Sequence, residues 1–475
     1  MRLFDTKVQE LKYKVIKEVV KLENLGMLEQ KFNHIPLEII PGPKATMRCC
    51  IYHERAIVEK RVKLAMGGNK EDPNVVEVID CACDECPVKR FLVTDACRGC
   101  IAHRCQSVCP AGAITSQGQQ SVIDLEKCIE CGRCMKACPY SAIIENQRPC
   151  VKSCVPRAIV IDENKKAFID SQKCTACGAC VYQCPFGAIV DKSYIVDALQ
   201  LLKNSNNGGG YKVYAVIAPS FAGQFSYAKP GQIIAGLKKI GFRNVVEAAL
   251  GADIVAQKEA RELTEKGFLL SSCCPAFVSY IKTKFPAAAQ FISDNISPMA
   301  ETAKLIKNAD STAKVVFIGP CTAKKKEILE PGIAGLIDCV ITFEELQAWF
   351  DGVEIDIESL PEDLLDDASC YGRNFARSGG LQEAVKSVIK KESPDFCLDP
   401  EICNGAEQCR IALLKISRGR LDKNFVEGMF CEGGCIGGAA CLSHDVKYAA
   451  AIQKYSTQSG KKDIDMSLRE LKCNL

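Results

Sequence analysis

Three cysteine runs of nearly equal spacing constrain this chain more than any other feature. They are Cys97-x2-Cys100-x4-Cys105-x3-Cys109-Pro110, Cys128-x2-Cys131-x2-Cys134-x3-Cys138-Pro139 and Cys174-x2-Cys177-x2-Cys180-x3-Cys184-Pro185. In all, 31 of 475 residues are cysteine. In a small secreted protein such density reads as disulfides. Here the chain is long, and Met1 to Gln9 is charged with no apolar stretch after it, so no export signal is expected. Thiolates holding [4Fe-4S] cubanes are the expected state, in a reducing cytoplasmic compartment, and the chain reads as an electron carrier.

Charge excludes little. Lysine and arginine number 61 against 58 acidic residues, a formal charge of +3, which points to no polyanionic partner and no nucleic acid. No run of eighteen apolar residues occurs, so no membrane span is expected. The short basic stretches Arg61-Val62-Lys63 and Lys324-Lys325-Lys326 are expected on a solvated surface or in a local site.

Residues 1–90 form an N-terminal accessory region, with helical spacing from Ile16 to Leu28 and before Gly67-Gly68, and a strand at Val75–Ile79. Residues 91–145 carry two complete cysteine runs, and 146–203 form a second module with one or two clusters. Such cysteine-dense segments bury little apolar surface, so their clusters supply much of the folding energy. Asp191–Lys203 reads as a helix, and Asn204–Gly210 as a loop. Residues 211–442 form the largest unit, where strands at Val213–Ala218 and Lys314–Ile318 alternate with helices at Pro230–Leu237 and Glu344–Phe350, a pattern of α/β layers. The charged tail 443–475 is expected to be peripheral.

In bacterial two-cluster ferredoxins the fourth cysteine of each run ligates the other cluster. Cys97, Cys100 and Cys105 then pair with Cys138, and Cys128, Cys131 and Cys134 with Cys109. The third run lacks an intact partner, because Ile144 and Gln147 stand at two of its ligand positions. Cys174, Cys177, Cys180 and Cys154 still complete a third cubane. Cys150 and Cys184 are left short of two ligands. Cys81, Cys83 and Cys86 either supply them in a fourth cluster or remain a turn of free thiols.

The large unit holds cysteines of another kind, in Ser271-Ser272-Cys273-Cys274-Pro275, in Gly319-Pro320-Cys321-Thr322-Ala323-Lys324-Lys325-Lys326-Glu327, and in Glu427-Gly428-Met429-Phe430-Cys431-Glu432-Gly433-Gly434-Cys435-Ile436-Gly437-Gly438. Cys274, Cys321, Cys431 and Cys435 are four candidate ligands from three distant loops. The glycines around Cys435 are expected to admit backbone close to a bulky cluster.

SSCCPAF, PCTAKKKE and EGMFCEGGCIGG resemble, in order, the three signatures of the [FeFe]-hydrogenase catalytic domain. With the cluster-rich front end, the chain resembles the monomeric clostridial-type subclass over about 96–442. The resemblance implies an α/β catalytic domain with an H-cluster (211–442), preceded by ferredoxin-like α+β iron–sulfur modules. It implies a cubane held by Cys274, Cys321, Cys431 and Cys435, bridged through Cys435 to a diiron subsite with CO, cyanide and azadithiolate. Lys324 matches the lysine that hydrogen-bonds one cyanide, as a buried anionic ligand requires. Pro219 and Ser220 match the pair beside the other cyanide, and Met429 a methionine packing near the subsite. Cys273 matches the proton-exchanging cysteine. Glu259, Glu262 and Ser293 match the next proton carriers, though the segment from Glu262 to Cys273 is shorter than the usual form. Glu259 and Glu262 would otherwise read as surface residues.

The chain departs from the common pattern at Ser271, at Ala276-Phe277, at Gly319 where a methionine packs, and at Met299 where a glutamine is frequent. A looser or electrostatically altered pocket is expected. The implied function is reversible hydrogen oxidation and proton reduction, with electrons relayed to or from ferredoxin and with dedicated maturation proteins. A hydrogen sensor, and an iron–sulfur scaffold or assembly protein without the diiron subsite, are the competing readings. Catalytic direction, oxygen sensitivity and oligomeric state stay open. Cys397-x5-Cys403-x5-Cys409 fits no cubane pattern, and Cys49, Cys50, Cys339, Cys370, Cys441 and Cys473 are expected to be structural thiols. His34, His53, His103 and His444 lack zinc spacing.

Overall fold

In the large unit, short β-branched runs such as Val213–Ile217 and Lys314–Gly319 are apolar along their whole length, as strands covered on both faces must be. The computed structural model of the chain describes residues 4–84, 86, 90–445 and 447–474, with side chains to 469; the Cys473 side chain lies outside them. Two all-parallel sheets form. One has the order Asn244–Glu247, Val213–Ile217, Lys314–Gly319, Cys339–Thr342; the other Leu269–Leu270, Phe425–Met429, Pro400–Asn404. Helices cover them, the longest being Ala248–Lys266. Loops leaving the carboxyl ends of parallel strands are where α/β proteins place their sites. Pro219-Ser220, Cys273-Cys274, Cys321 and Cys431 all follow such ends.

The cysteine-rich front end is built from two-stranded antiparallel ladders. Phe91–Val93 pairs with Ile143–Glu145, and Ile114–Gln117 with Gln120–Ile123. In the second module Ile159–Ile161 pairs with Ala167–Ile169, and Val76–Val78 pairs with Ile189–Asp191. The N-terminal region thus lends a strand to the second module. Asp191 ends that strand, and the helix expected from it begins only at Ile195.

The N-terminal helix Lys7–Asn24 belongs to the main core. Val15, Ile16, Val19 and Val20 are buried with Trp349 and Phe350 of the helix Phe343–Gly352. A buried ionic network joins these parts. Lys12 Nζ lies 2.5 Å from Asp191 and 2.6 Å from Glu344, and Lys325 Nζ 3.0 Å from both Asp191 and Glu345.

The tail is not peripheral. Helix Tyr448–Thr457 buries Ile452 and Tyr455, the Tyr455 hydroxyl donates to Glu247 (2.6 Å), and Ser467 donates to the buried Asp253 (2.7 Å). Sequence charge misjudged it because its apolar face is narrow. Two stretches read as possible surface also differ: Arg61, Lys324 and Lys325 are all buried. Among the described residues no helix is long and apolar enough to cross a membrane.

Candidate metal centre

Four buried or half-buried cysteines from both sheets meet at one apolar cavity of about 100 Å³. Cys274 precedes the helix Pro275–Lys284, Cys321 follows the strand Lys314–Gly319, and Cys431 and Cys435 follow Phe425–Met429. Pro219, Met299, Phe317 and Lys324 line the same cavity. Burial, then the neighbouring Cys274, pushes the Cys321 thiol up to about 11. Burial, then Cys321 and Cys274, pushes Cys435 to about 12, and burial raises Cys431 further. Four desolvated thiols that oppose one another's ionisation become thiolates readily only around a cationic centre. Backbone N–H groups of Phe430, Phe277 and Ala276 already point at the Cys274 sulfur. The donor set therefore fits a thiolate-ligated cubane. Among the described residues no three ligating side chains close on a single ion, as expected where sulfurs must surround four irons.

Lys324 Nζ reaches into this cavity, 2.8 Å from Ser297 Oγ and 2.7 Å from Glu327. Burial opposes its charge, but Glu327 and then the thiolates of Cys321 and Cys435 outweigh it, and its pKa lies above the ordinary value. The buried Ser220 Oγ has no protein partner among the described residues, which leaves it free for a bound group. Met429 is buried at the cavity wall. The space expected to be loose at Gly319 is filled: a Cβ there would lie 2.7 Å from the Phe317 ring. The glycines near Cys435 serve loop packing too, since a Cβ on Gly438 would stand 2.5 Å from the Pro320 carbonyl oxygen.

Cys273 is buried beside Glu259 and faces the same cavity. Burial, then Glu259 and Cys274, raises its thiol well above the ordinary range. Glu259 is fully buried on the helix Ala248–Lys266. One of its oxygens accepts from Ser272 N (3.0 Å) and Ser272 Oγ (3.1 Å), and the other has no partner among the described residues. Burial outweighs those hydrogen bonds, Glu262 and Glu427 add to it, and the Glu259 pKa rises to about 7. One helical turn on, Glu262 accepts from Ser293 Oγ (2.7 Å) and Asn295 Nδ2 (2.8 Å), and meets the half-exposed Lys266 at 2.6 Å. The four residues thus form a file from the cavity to the surface. Ser272, Asn295 and Lys266 in that file were not foreseen; Ser272 adjoins a motif, but nothing in the sequence pairs it with Glu259.

Among the accessory cysteines, Cys105, Cys109, Cys134 and Cys138 share one small core. Cys174, Cys177, Cys180 and Cys154 are mutual electrostatic neighbours, and burial with those neighbours raises Cys177 to about 12. This third set docks on the second motif of the large unit. Thr322 Oγ1 donates to Ala176 O and Lys326 Nζ to Cys174 O, both at 2.6 Å. Cys177 packs in one core with Cys274 and Cys321.

Cys403 and Cys409 are buried and hydrogen-bonded to each other, while Cys397 is exposed, so the x5 set does not converge. Cys339, Cys370 and Cys441 donate to backbone carbonyls. His103 is solvated, its Nδ1 3.3 Å from Ser116 Oγ.

Comparison with known proteins agrees with this geometry. Residues 211–439 match the model of the iron-only hydrogenase large subunit, C-terminal domain. Residues 89–140 match a 4Fe-4S dicluster domain and 127–187 a 4Fe-4S double cluster binding domain. The chain is 29% identical over 374 residues to the periplasmic [Fe] hydrogenase large subunit of Nitratidesulfovibrio vulgaris, covering 66% of this chain and 85% of that one. It is 27% identical over 301 residues to iron hydrogenase 1 of Clostridium pasteurianum, half of this chain and 51% of that one. It is 31% identical over 142 residues to the cytosolic Fe-S cluster assembly factor NAR1 of Eremothecium gossypii, 28% of this chain and 32% of that one. The last two matches thus span half or less of those relatives. A solved [FeFe]-hydrogenase, described for oxygen inactivation of its H cluster, shares the fold at a TM-score of 0.50 and 20% identity, over 59% of this chain and 93% of that one. With its iron-only hydrogenase C-terminal domain behind 4Fe-4S ferredoxin-type modules, the chain belongs to the iron-only hydrogenase family.

Proposed function

We propose that this protein interconverts molecular hydrogen with protons and electrons at an H-cluster. One observation carries the reading: a four-cysteine cavity meets both a buried file of proton-bearing side chains and a docked accessory cysteine set. When bound, the H-cluster would supply the redox-active metal at which hydrogen forms or splits. Cys274, Cys321, Cys431 and Cys435 would hold its cubane, with Cys435 as the bridge. Lys324 donates a charge-assisted hydrogen bond to an anionic ligand, and Ser220 offers an unused hydroxyl. Met299, Met429 and Phe317 keep water away.

Cys273 exchanges a proton with the buried group, and Glu259 takes it up. A carboxyl with a pKa of about 7 changes protonation at little cost near neutral pH. Glu262 and Ser293 pass the proton to solvent beside Lys266. Electrons follow the cubane of Cys174, Cys177, Cys180 and Cys154 outward to those of the first two runs. There Ile101, Ile129 and Tyr140 are exposed, an apolar surface suited to ferredoxin or a similar low-potential carrier. Dedicated maturation proteins install the diiron subsite, and the setting is cytoplasmic.

The NAR1 similarity favours a second reading, an iron–sulfur assembly protein without the diiron subsite. Cys273 and Glu259 weigh against it, because a scaffold needs no buried proton file. A hydrogen sensor differs only in turnover. Infrared spectra and hydrogen turnover on one anaerobically matured sample separate the three. CO and cyanide bands that shift under hydrogen, with rapid turnover, are expected. In Glu259→Gln the bands and iron content should persist while turnover falls at least ~10²-fold. Bands without turnover favour the sensor; no bands after verified maturation favour the scaffold.

A further inference from the structure

The front end repeats one local device four times. The sulfurs of Cys109, Cys138, Cys154 and Cys184 each accept a hydrogen bond from the backbone N–H four residues on: Ala113 (3.2 Å), Ala142 (3.4 Å), Ala158 (3.2 Å) and Ala188 (3.3 Å). Each cysteine follows a short helix and precedes a strand. Three of the four already have a cubane to complete. Cys184 is built like them and has none. By the crossed ligation of two-cluster ferredoxins, its partners belong at 144, 147 and 150. Only Cys150 is there: Ile144 is in a strand paired with Phe91–Val93, and Gln147 is turned toward Glu145 (2.7 Å).

The N-terminal strand fills the gap. Val76–Val78 pairs with Ile189–Asp191, and Ile79 N donates to Ala188 O at 2.7 Å. The chain then turns through Asp80–Ala82. Cys83, Cys150 and Cys184 lie in one buried core, at 6%, 5% and 7% exposure. The Cys83 sulfur accepts from Ala167 N (3.4 Å) and faces Arg148 Nη1 (3.9 Å). Burial, then Cys184, Cys86 and Cys83, pushes the Cys150 thiol up to about 11. Cys81 differs: after burial, its neighbours are Asp80, Lys60 and Asp84, and no other cysteine.

Charge supports the same occupant. Arg61 is 3% exposed, its Nη2 donates to Gly187 O, and its buried Nε has no hydrogen-bond partner among the described residues. Cys184 is the nearest group favouring its charge. Arg148 is buried against Cys83. Two desolvated guanidiniums around four thiols call for a net anion, and a cubane with four thiolates is one.

We infer that Cys83, Cys86, Cys150 and Cys184 bind a fourth accessory [4Fe-4S] cluster, with Arg61 and Arg148 as its counter-charges. The cluster would neighbour the third cubane, since Cys150 is among the groups that raise Cys180. The inference concerns iron–sulfur ligation alone and is independent of the hydrogen chemistry proposed above.

The test is iron and sulfide analysis with Mössbauer spectroscopy on the anaerobically isolated full chain. The double variant Cys83→Ser/Cys86→Ser should lose about four irons per chain, one cubane's content, while Cys81→Ser loses none. Wild-type iron content in the double variant would overturn the inference, as would loss of four irons in Cys81→Ser. Should the double variant fail to fold, alkylation of the native wild-type protein decides. Cys83, Cys86, Cys150 and Cys184 should be protected together and released together by iron chelation, while Cys81 reacts throughout. Free labelling of the four in iron-loaded protein would sink the cluster. Loss of hydrogen turnover at full iron content would count against the proposed function and leave this site standing.

Discussion

Glu427 opens the third motif yet has no solvent exposure. Its carboxylate accepts from Gly379 N (2.6 Å) and Gln382 N (2.9 Å), at the start of the helix Gly380–Glu392. It therefore anchors the loop that presents Cys431. Burial outweighs these hydrogen bonds and pushes its pKa up to about 7. A raised folded pKa means that the folded state holds the proton more tightly than the unfolded one. The associated stability is complete below the unfolded value of 4.5 and is lost as pH rises through about 7. The loss amounts to about 3 kcal/mol for this group. Unfolding measured from pH 4.5 to 8 should show this slope in the wild type and a correspondingly flatter profile in Glu427→Gln. Equal slopes would mean that Glu427 does not titrate in this range.

At the scale of elements, the junction between the third cysteine run and the second catalytic motif is the tightest joint in the relay. Gly178 has φ +76°, and a Cβ there would lie 2.5 Å from Ala439 Cβ and 2.6 Å from Thr322 Oγ1. A left-handed alanine costs about 1–2 kcal/mol before any clash, and the clash must open the joint. Gly178→Ala should lower the melting temperature by several degrees. It should also slow electron passage between the accessory clusters and the cavity cubane, read by freeze-quench EPR, while iron content stays constant. An unchanged transfer rate would show that the joint does not set the electron path.

Across the whole molecule, the N-terminal helix, the second cluster module and the catalytic unit share one ionic network at Lys12, Asp191, Lys325, Glu344 and Glu345. Burial opposes the charge of Lys12, but Asp191 and Glu344 hold its pKa well above the ordinary range; Asp191 is held low in return, mainly by Lys12 and Lys325. Removing one member strands desolvated charges. Lys12→Met should therefore destabilise the protein by about 3–5 kcal/mol, seen in denaturant unfolding of the holoprotein. It should also loosen the front end from the catalytic unit, seen as faster proteolysis between them. A loss below about 1 kcal/mol would mean that the network is dispensable.

The cysteine spacing alone determined that this chain binds iron–sulfur clusters, because ligand geometry is written in the local turn. Strand-terminal motifs such as PCTAKKKE were equally legible, since an apolar run followed by Gly-Pro-Cys is a local pattern. Partners contributed by distant segments were not. Nothing adjacent in sequence tells Cys184 that its core includes Cys83, contributed through the pairing of Val76–Val78 with Ile189–Asp191. Nothing marks Glu259 as buried, because its neighbours Lys258, Arg261 and Glu262 give the stretch a surface composition, and only packing of the helix Ala248–Lys266 turns that one carboxyl inward. The same holds for the tail, whose few apolar side chains become core only where Glu247 and Arg373 receive Tyr455. Local chemistry fixes what each segment can bind. Tertiary structure decides which segments share a ligand, which charges lose their water, and hence where electrons and protons can meet.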